Sequence, residues 1–246
     1  MKTILTSSLG YFKKGEDGKR IPDQLFCYNG FLERLQKDWR KDAKVLIIAA
    51  SADDYEKNDD ICECYRKSFE MSGLGVAYME NCDRRNMHLA ERLSEMDVVL
   101  LVGGHVPTQN DFFKQIHLKE KLADFDGTVL AWSAGSMNCA ETVYAAPELD
   151  GEAIDPDYKR WVSGLGLTKI NIFPHYQRLK DDYLDGFRVM EDIVYADSMG
   201  HEIIAMNDAT YITIENGKHT LYGEAYRIKD GKIEMICREG MSFELN

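Results

Sequence analysis

Two apolar runs constrain the fold of this chain more than any other feature. Val45-Leu46-Ile47-Ile48-Ala49-Ala50 and Val98-Val99-Leu100-Leu101-Val102 carry no polar residue at alternate positions. A strand with one wet face alternates, whereas a strand covered on both faces does not. Shorter strand candidates lie at Thr3 to Thr6, Gly75 to Met79 and Thr128 to Trp132. The segments between them carry helical spacing: Tyr28, Leu32, Leu35 and Trp39 form one stripe, and Ile61, Tyr65 and Phe69 another. Tyr183, Phe187, Met190 and Val194 form a third. Alternation of buried strands with amphipathic helices implies parallel βαβ units.

The C-terminal region reads differently. Glu202 to Met206, Tyr211 to Glu215, His219 to Tyr222 and Ile233 to Cys237 are short strand candidates. Asn216-Gly217 and Asp230-Gly231 between them are hairpin signals. The expected fold is therefore α/β: a mostly parallel central sheet flanked by helices, with antiparallel C-terminal strands. There is no internal repeat and no evident linker, so residues 1–246 are expected to form a single domain.

Composition narrows the function classes. With 29% charged and 44% hydrophobic residues the chain is expected to fold as a globular domain. A formal net charge of -12 repels phosphate backbones, so no nucleic-acid partner is expected. No stretch approaches the ~20 apolar residues of a membrane span, and nothing at the start resembles a secretory signal. The six cysteines are scattered, with one C-x-C pair at Cys62 and Cys64 and no second pair at zinc-finger spacing. Free thiols in a reducing compartment are the simplest reading, so a cytoplasmic location is expected.

Three features carry chemistry. In Thr128-Val-Leu-Ala-Trp-Ser133-Ala-Gly-Ser-Met an apolar strand runs into small residues and a short helical stretch, the context of a nucleophile elbow. The match to G-x-S-x-G is incomplete, because Ala131 stands at the first glycine position. In Leu101-Val-Gly-Gly104-His a strand ends in a double glycine, which either points backbone N–H groups at a developing anion or makes a tight turn into a helix. In Gly164-Leu-Gly-Leu…Phe-Pro-His175-Tyr, Pro174 ends a strand-like run just before a histidine. Strand ends are where open α/β sheets place their sites, and this distinguishes His175 from the other histidines.

The double-glycine loop, the Trp-Ser-Ala-Gly elbow and the Gly-Leu-Gly-Leu…Pro-His-Tyr strand, in that order, resemble the peptidase E and cyanophycinase family of serine peptidases. The likeness spans most of the chain. It implies a glutamine-amidotransferase-like α/β fold, Ser133 as nucleophile and His175 as general base. It also implies an oxyanion hole built from the N–H groups of Gly104 and Ala134. The family's triad acid is expected in the loop after the elbow helix, which falls on Glu148, with Asp150 as competitor. Arg178, just beyond His175, is the candidate substrate-binding cation for an acidic side chain.

The expected activity is thus a serine peptidase acting on small peptides, including aspartyl dipeptides, through a Ser-His-Glu triad and an acyl-enzyme. No metal or organic cofactor is expected, and a homodimer is compatible with this reading. Three alternatives share the features: a glutamine-amidotransferase-like non-peptidase, a non-catalytic binding protein and a general esterase. The first needs an elbow cysteine, and Cys139 lies too far along the helix to supply it.

Overall fold

The computed structural model describes residues 1–245. Its central sheet is built from β1 (Lys2–Thr6), β2 (Ala43–Ile48), β3 (Val76–Cys82), β4 (Val98–Leu101) and β5 (Thr128–Trp132). These run parallel in the order β1-β5-β4-β2-β3.

A second sheet begins with β6 (Asn171–Pro174) and β7 (Glu202–Met206), which pair in parallel. β8 (Tyr211–Glu215) and β9 (Lys218–Tyr222) return to the central sheet and extend it antiparallel beyond β1. β10 (Ala225–Lys229) and β11 (Lys232–Cys237) complete the second sheet in the order β6-β7-β10-β11. β12 (Ser242–Leu245) closes the edge of the central sheet against β9.

The unbroken apolar runs have a direct structural cause. Val45 and Ile47 of β2 and Val98 and Leu100 of β4 point into one core cluster, while Leu46, Ile48, Val99 and Leu101 point into the other. Successive side chains of a strand face opposite sides, so both faces of these strands are dry. One face is covered by α1 (Phe31–Asp38) and α2 (Tyr55–Met71), through Leu35, Ile61, Tyr65 and Phe69. The other is covered by α3 (Val106–Gln115), through Phe112 and Phe113. Among the described residues no helix is long and apolar enough to cross a membrane.

The mostly parallel sheet with antiparallel C-terminal strands is present. Both hairpin signals hold, with positive φ at Asn216, Gly217, Asp230 and Gly231. The third helical stripe is only half correct. Tyr183–Leu184 and Phe187–Arg188 form a small hairpin, and helix begins only at Val189. Asp185 and Gly186 take positive φ (53° and 84°), which makes a tight hairpin turn in place of a helical one. The separate second sheet was not expected either. Its inner strands β6 and β7 are largely buried like those of the central sheet, while β10 and β11 carry charged, exposed residues, and nothing in a strand's composition says which sheet it joins.

Candidate active site

The site lies where the two sheets meet. β1 and β5 of the central sheet end beside β6 of the second sheet, and the turn from β7 to β8 crosses from one sheet to the other. β5 delivers Ser133 at its C-terminal end, and β6 delivers His175.

Ser133 has φ 51° and ψ -122°, a strained conformation for a residue with a side chain. It sits between β5 and the single-turn helix α4 (Ala134–Met137). Two contacts hold it there: its N–H donates to the Thr6 carbonyl at 3.0 Å, and its carbonyl accepts from Met137 N–H. Gly135 explains the glycine of the elbow, because a Cβ there would lie 2.2 Å from the Leu101 carbonyl oxygen. Ala131, at the position where the strict pattern has glycine, is fully buried in the sheet and its methyl is accommodated.

His175 also has positive φ, 127°, immediately after Pro174. Its Nε2 lies 2.7 Å from Ser133 Oγ, and its Nδ1 lies 2.8 Å from Asp208 Oδ1. Asp208 sits in the β7–β8 turn, which closes through Thr210 N–H donating to Asn207 O, with Ala209 at φ 64°. Its backbone N–H donates to Gln177 Oε1, and its Oδ2 is 3.3 Å from Arg178 Nε. Burial by itself would raise the Asp208 pKa. The hydrogen bond from His175 and the nearby charges of His175 and Arg178 outweigh it and hold the carboxyl below its ordinary value.

Glu148 is not in this chain of contacts. Both ring nitrogens of His175 are engaged by Ser133 and Asp208, so the carboxylate that meets the histidine is that of Asp208 and not the expected Glu148. Glu148 lies at the open rim of the same cleft. Its carboxyl is pushed above the ordinary range, first by desolvation against the cleft wall and then by neighbouring Glu152, with His105 and His175 opposing.

The loop around Glu148 is held by carboxylates that are engaged elsewhere than at His175. Glu152 accepts from the N–H groups of Glu148 and Leu149 and meets His105 Nε2 at 2.8 Å. Asp185 accepts from Gly151 and Ala153. Asp150 is exposed at the surface of this loop and makes no contact with His175.

Gly104 and Ala134 line the cleft with Ser133 and His175, and neither amide is spent on a loop or turn carbonyl. A side chain at Gly104 would collide with the Ala50 methyl at 2.5 Å, so glycine is required at that approach. The cleft, about 730 Å³, is walled by Tyr11, Trp132, Phe173 and Leu184 and carries Lys57 and Arg178 at its edges. Arg178 is 61% exposed and pairs with Asp208 through its charge.

All six cysteines are unpaired. Cys139 is fully buried, its thiol pushed up by desolvation and bonded to the Gly135 carbonyl, so it is no alternative nucleophile. Among the described residues no three His, Cys, Asp or Glu side chains, Cys62 and Cys64 included, are grouped to hold a metal ion.

Comparison with known proteins agrees with this architecture. Over nearly its whole length the chain is similar to the crystal structure of a peptidase from an acI-B1 Actinobacterium, at 15% identity and TM-score 0.63, covering 99% of this chain and 96% of that one. It is also similar to a protein from Listeria monocytogenes EGD-e described as a peptidase E, at 14% identity and TM-score 0.57, covering 96% and 98%. At these identities the likeness is one of fold. None of the curated proteins matches in sequence. Residues 24–222 match the family Peptidase family S51, a span that contains Ser133, His175 and Asp208, and the chain therefore belongs to peptidase family S51 and is a serine-type peptidase.

Proposed function

We propose that the chain hydrolyses small peptides through a Ser133-His175-Asp208 triad. The observation that carries this reading is the continuous line of contacts from Ser133 Oγ through the imidazole to Asp208, at 2.7 Å and 2.8 Å. With Nδ1 donating to Asp208, Nε2 is left with a lone pair facing the serine hydroxyl, the tautomer a general base needs. His175 takes the Ser133 proton as Oγ attacks the peptide carbonyl. The N–H groups of Gly104 and Ala134 receive the oxyanion, as the resemblance implies for these positions. His175 then hands the proton to the leaving amine. The acyl-enzyme is hydrolysed by water, with His175 again serving as base.

Nothing in this sequence calls for a cofactor. The six free thiols suit a reducing compartment, so the cytoplasm is the proposed location. An acidic side chain in the cleft would meet Lys57, which makes no ion pair among the described residues, and the terminal nitrogens of Arg178, which lie open to solvent. We extend the proposal to a preference for aspartyl dipeptides on that basis.

A fluorophosphonate should label the parent at Ser133 and leave Ser133→Ala unlabelled. The same variant should lose at least about 10³-fold in kcat on any dipeptide the parent cleaves. Retained turnover in Ser133→Ala would overturn the serine reading. Equal rates on Asp-Leu, Leu-Leu and Lys-Leu would remove the aspartyl preference and leave the peptidase.

A further inference from the structure

The hydroxyl of Ser7 touches both partners of the acid–base pair. Ser7 follows the last residue of β1 and is completely buried. Its Oγ is 3.2 Å from Asp208 Oδ1, 3.4 Å from His175 Nδ1 and 3.4 Å from the Met206 carbonyl. We propose that Ser7 is a positioning residue of the hydrolytic site, which holds Asp208 and His175 in register with the nucleophile. This rests on the reading of Ser133 and His175 as nucleophile and base.

The argument begins with where each proton goes. His175 Nδ1–H is committed to Asp208 Oδ1, so Nδ1 has no lone pair to offer Ser7. The Ser7 proton therefore goes to Asp208 Oδ1, the nearer of its two remaining acceptors. Asp208 Oδ1 then accepts from both His175 and Ser7, while Arg178 forms an ion pair with Oδ2 at 3.3 Å. Each donor favours the ionised carboxylate and fixes its rotation. Arg178 is largely exposed, and water can replace it. Ser7 has no exposed surface, and water cannot take its place without a rearrangement of the site.

The backbone around Ser7 adds the second half of the argument. The preceding residue, Thr6, accepts the Ser133 N–H through its carbonyl, and its own N–H and carbonyl are both bonded by Ser136 Oγ. Ser7 N–H donates to Thr210 O, two residues beyond Asp208. Adjacent residues of one strand end thus grip the nucleophile's backbone on one side and the acid–base pair on the other. A peptide unit is rigid, so the spacing of Ser133 from the His175–Asp208 pair is set by Thr6 and Ser7.

The test uses Ser7→Ala, which deletes the hydroxyl and adds no bulk, and Ser7→Cys, which keeps a weaker donor of similar shape. With a dipeptide the parent cleaves, Ser7→Ala should lower kcat about tenfold to a hundredfold while KM moves by no more than about twofold. Ser7→Cys should fall between the two. The proton on His175 Nδ1 should give a low-field NMR resonance in the parent that is absent from His175→Ala. In Ser7→Ala that resonance should shift and exchange faster with solvent. A kcat within about twofold of the parent, together with an unmoved resonance, would overturn the proposal. The NMR measurement needs no substrate, so an inactive parent would sink the peptidase reading while leaving the Ser7 assignment to be decided by the resonance.

Discussion

Asp208 and Glu148 stand near the same histidine and differ in what surrounds their carboxyl groups. Asp208 accepts hydrogen bonds from Ser7 and His175, from two distant parts of the chain, pairs with Arg178, and has its backbone N–H tied to Gln177. Glu148 receives no side-chain donor, has a second glutamate as neighbour and is partly desolvated. The first environment stabilises negative charge and the second resists it. An orienting acid has to remain ionised next to an imidazole that becomes cationic, and only the first environment serves that purpose.

The sharpest way to break this comparison is to neutralise each acid in turn. Asp208→Asn should cost about 10³- to 10⁴-fold in kcat by favouring the wrong histidine tautomer. Glu148→Gln should cost less than about tenfold on the same substrate. The reverse order in steady-state kinetics would return the triad acid to the loop after the elbow. A double variant, His175→Ala with Asp208→Asn, should be scarcely slower than His175→Ala alone, because the two act as one unit. Multiplied losses would show that they do not.

Arg178 offers a smaller test on the Asp208 side. Arg178→Ala removes an exposed ion-pair partner, and kcat should fall no more than about tenfold. A selective loss on Asp-Leu relative to Leu-Leu would sharpen its second role as a substrate cation. Equal loss on both would confine it to holding Asp208.

The smallest effect is on stability, and it has opposite sign at the two acids. The folded-state pKa of Asp208 is lowered, so its contribution is present above the unfolded value, about 3.9, and is lost as pH falls through the folded value. The Tm gap between parent and Asp208→Asn should therefore close on acidification below about pH 4. The folded-state pKa of Glu148 is raised, so its ionisation weakens the fold as pH rises past the ordinary glutamate value. Glu148→Gln should gain on the order of 1 °C in Tm at pH 7, and that gain should vanish below about pH 4.5. Melting curves across that range check both signs.

The same pair of residues shows what a sequence discloses and what it withholds. Ser133 and His175 were legible because each follows an apolar strand and carries a local signal: small residues after the serine, a proline before the histidine. Gly104 and Gly135 were legible because close backbone approach excludes a side chain. Asp208 carries no such mark. Asn207-Asp208 reads as an ordinary polar turn between two strand candidates, and its partner lies 33 residues away. The rule that singled out His175, a residue just past a buried strand, applies equally to Asp208 after Glu202–Met206, and was the one available signal. Glu148 matches an expected distance along the chain, which says little about distance in space once a loop folds. The Tyr183 to Val194 stripe is not a single helix for a related reason: its periodic spacing crosses an Asp-Gly turn.

The bond from Ser7 to Asp208 joins residues 201 apart in sequence. β1 pairs with both β5 and β8, so the first strand of the chain finds one of its neighbours only after residues 211–215 exist. Such pairings are slow to form, because the entropy of closing a long loop must be met before the contact stabilises anything. During synthesis Ser133 and His175 leave the ribosome before Asp208, the acid proposed to orient the histidine. On the proposed triad, a nascent chain that has released His175 but not Asp208 lacks the carboxylate that sets the imidazole tautomer, so its base is not yet oriented.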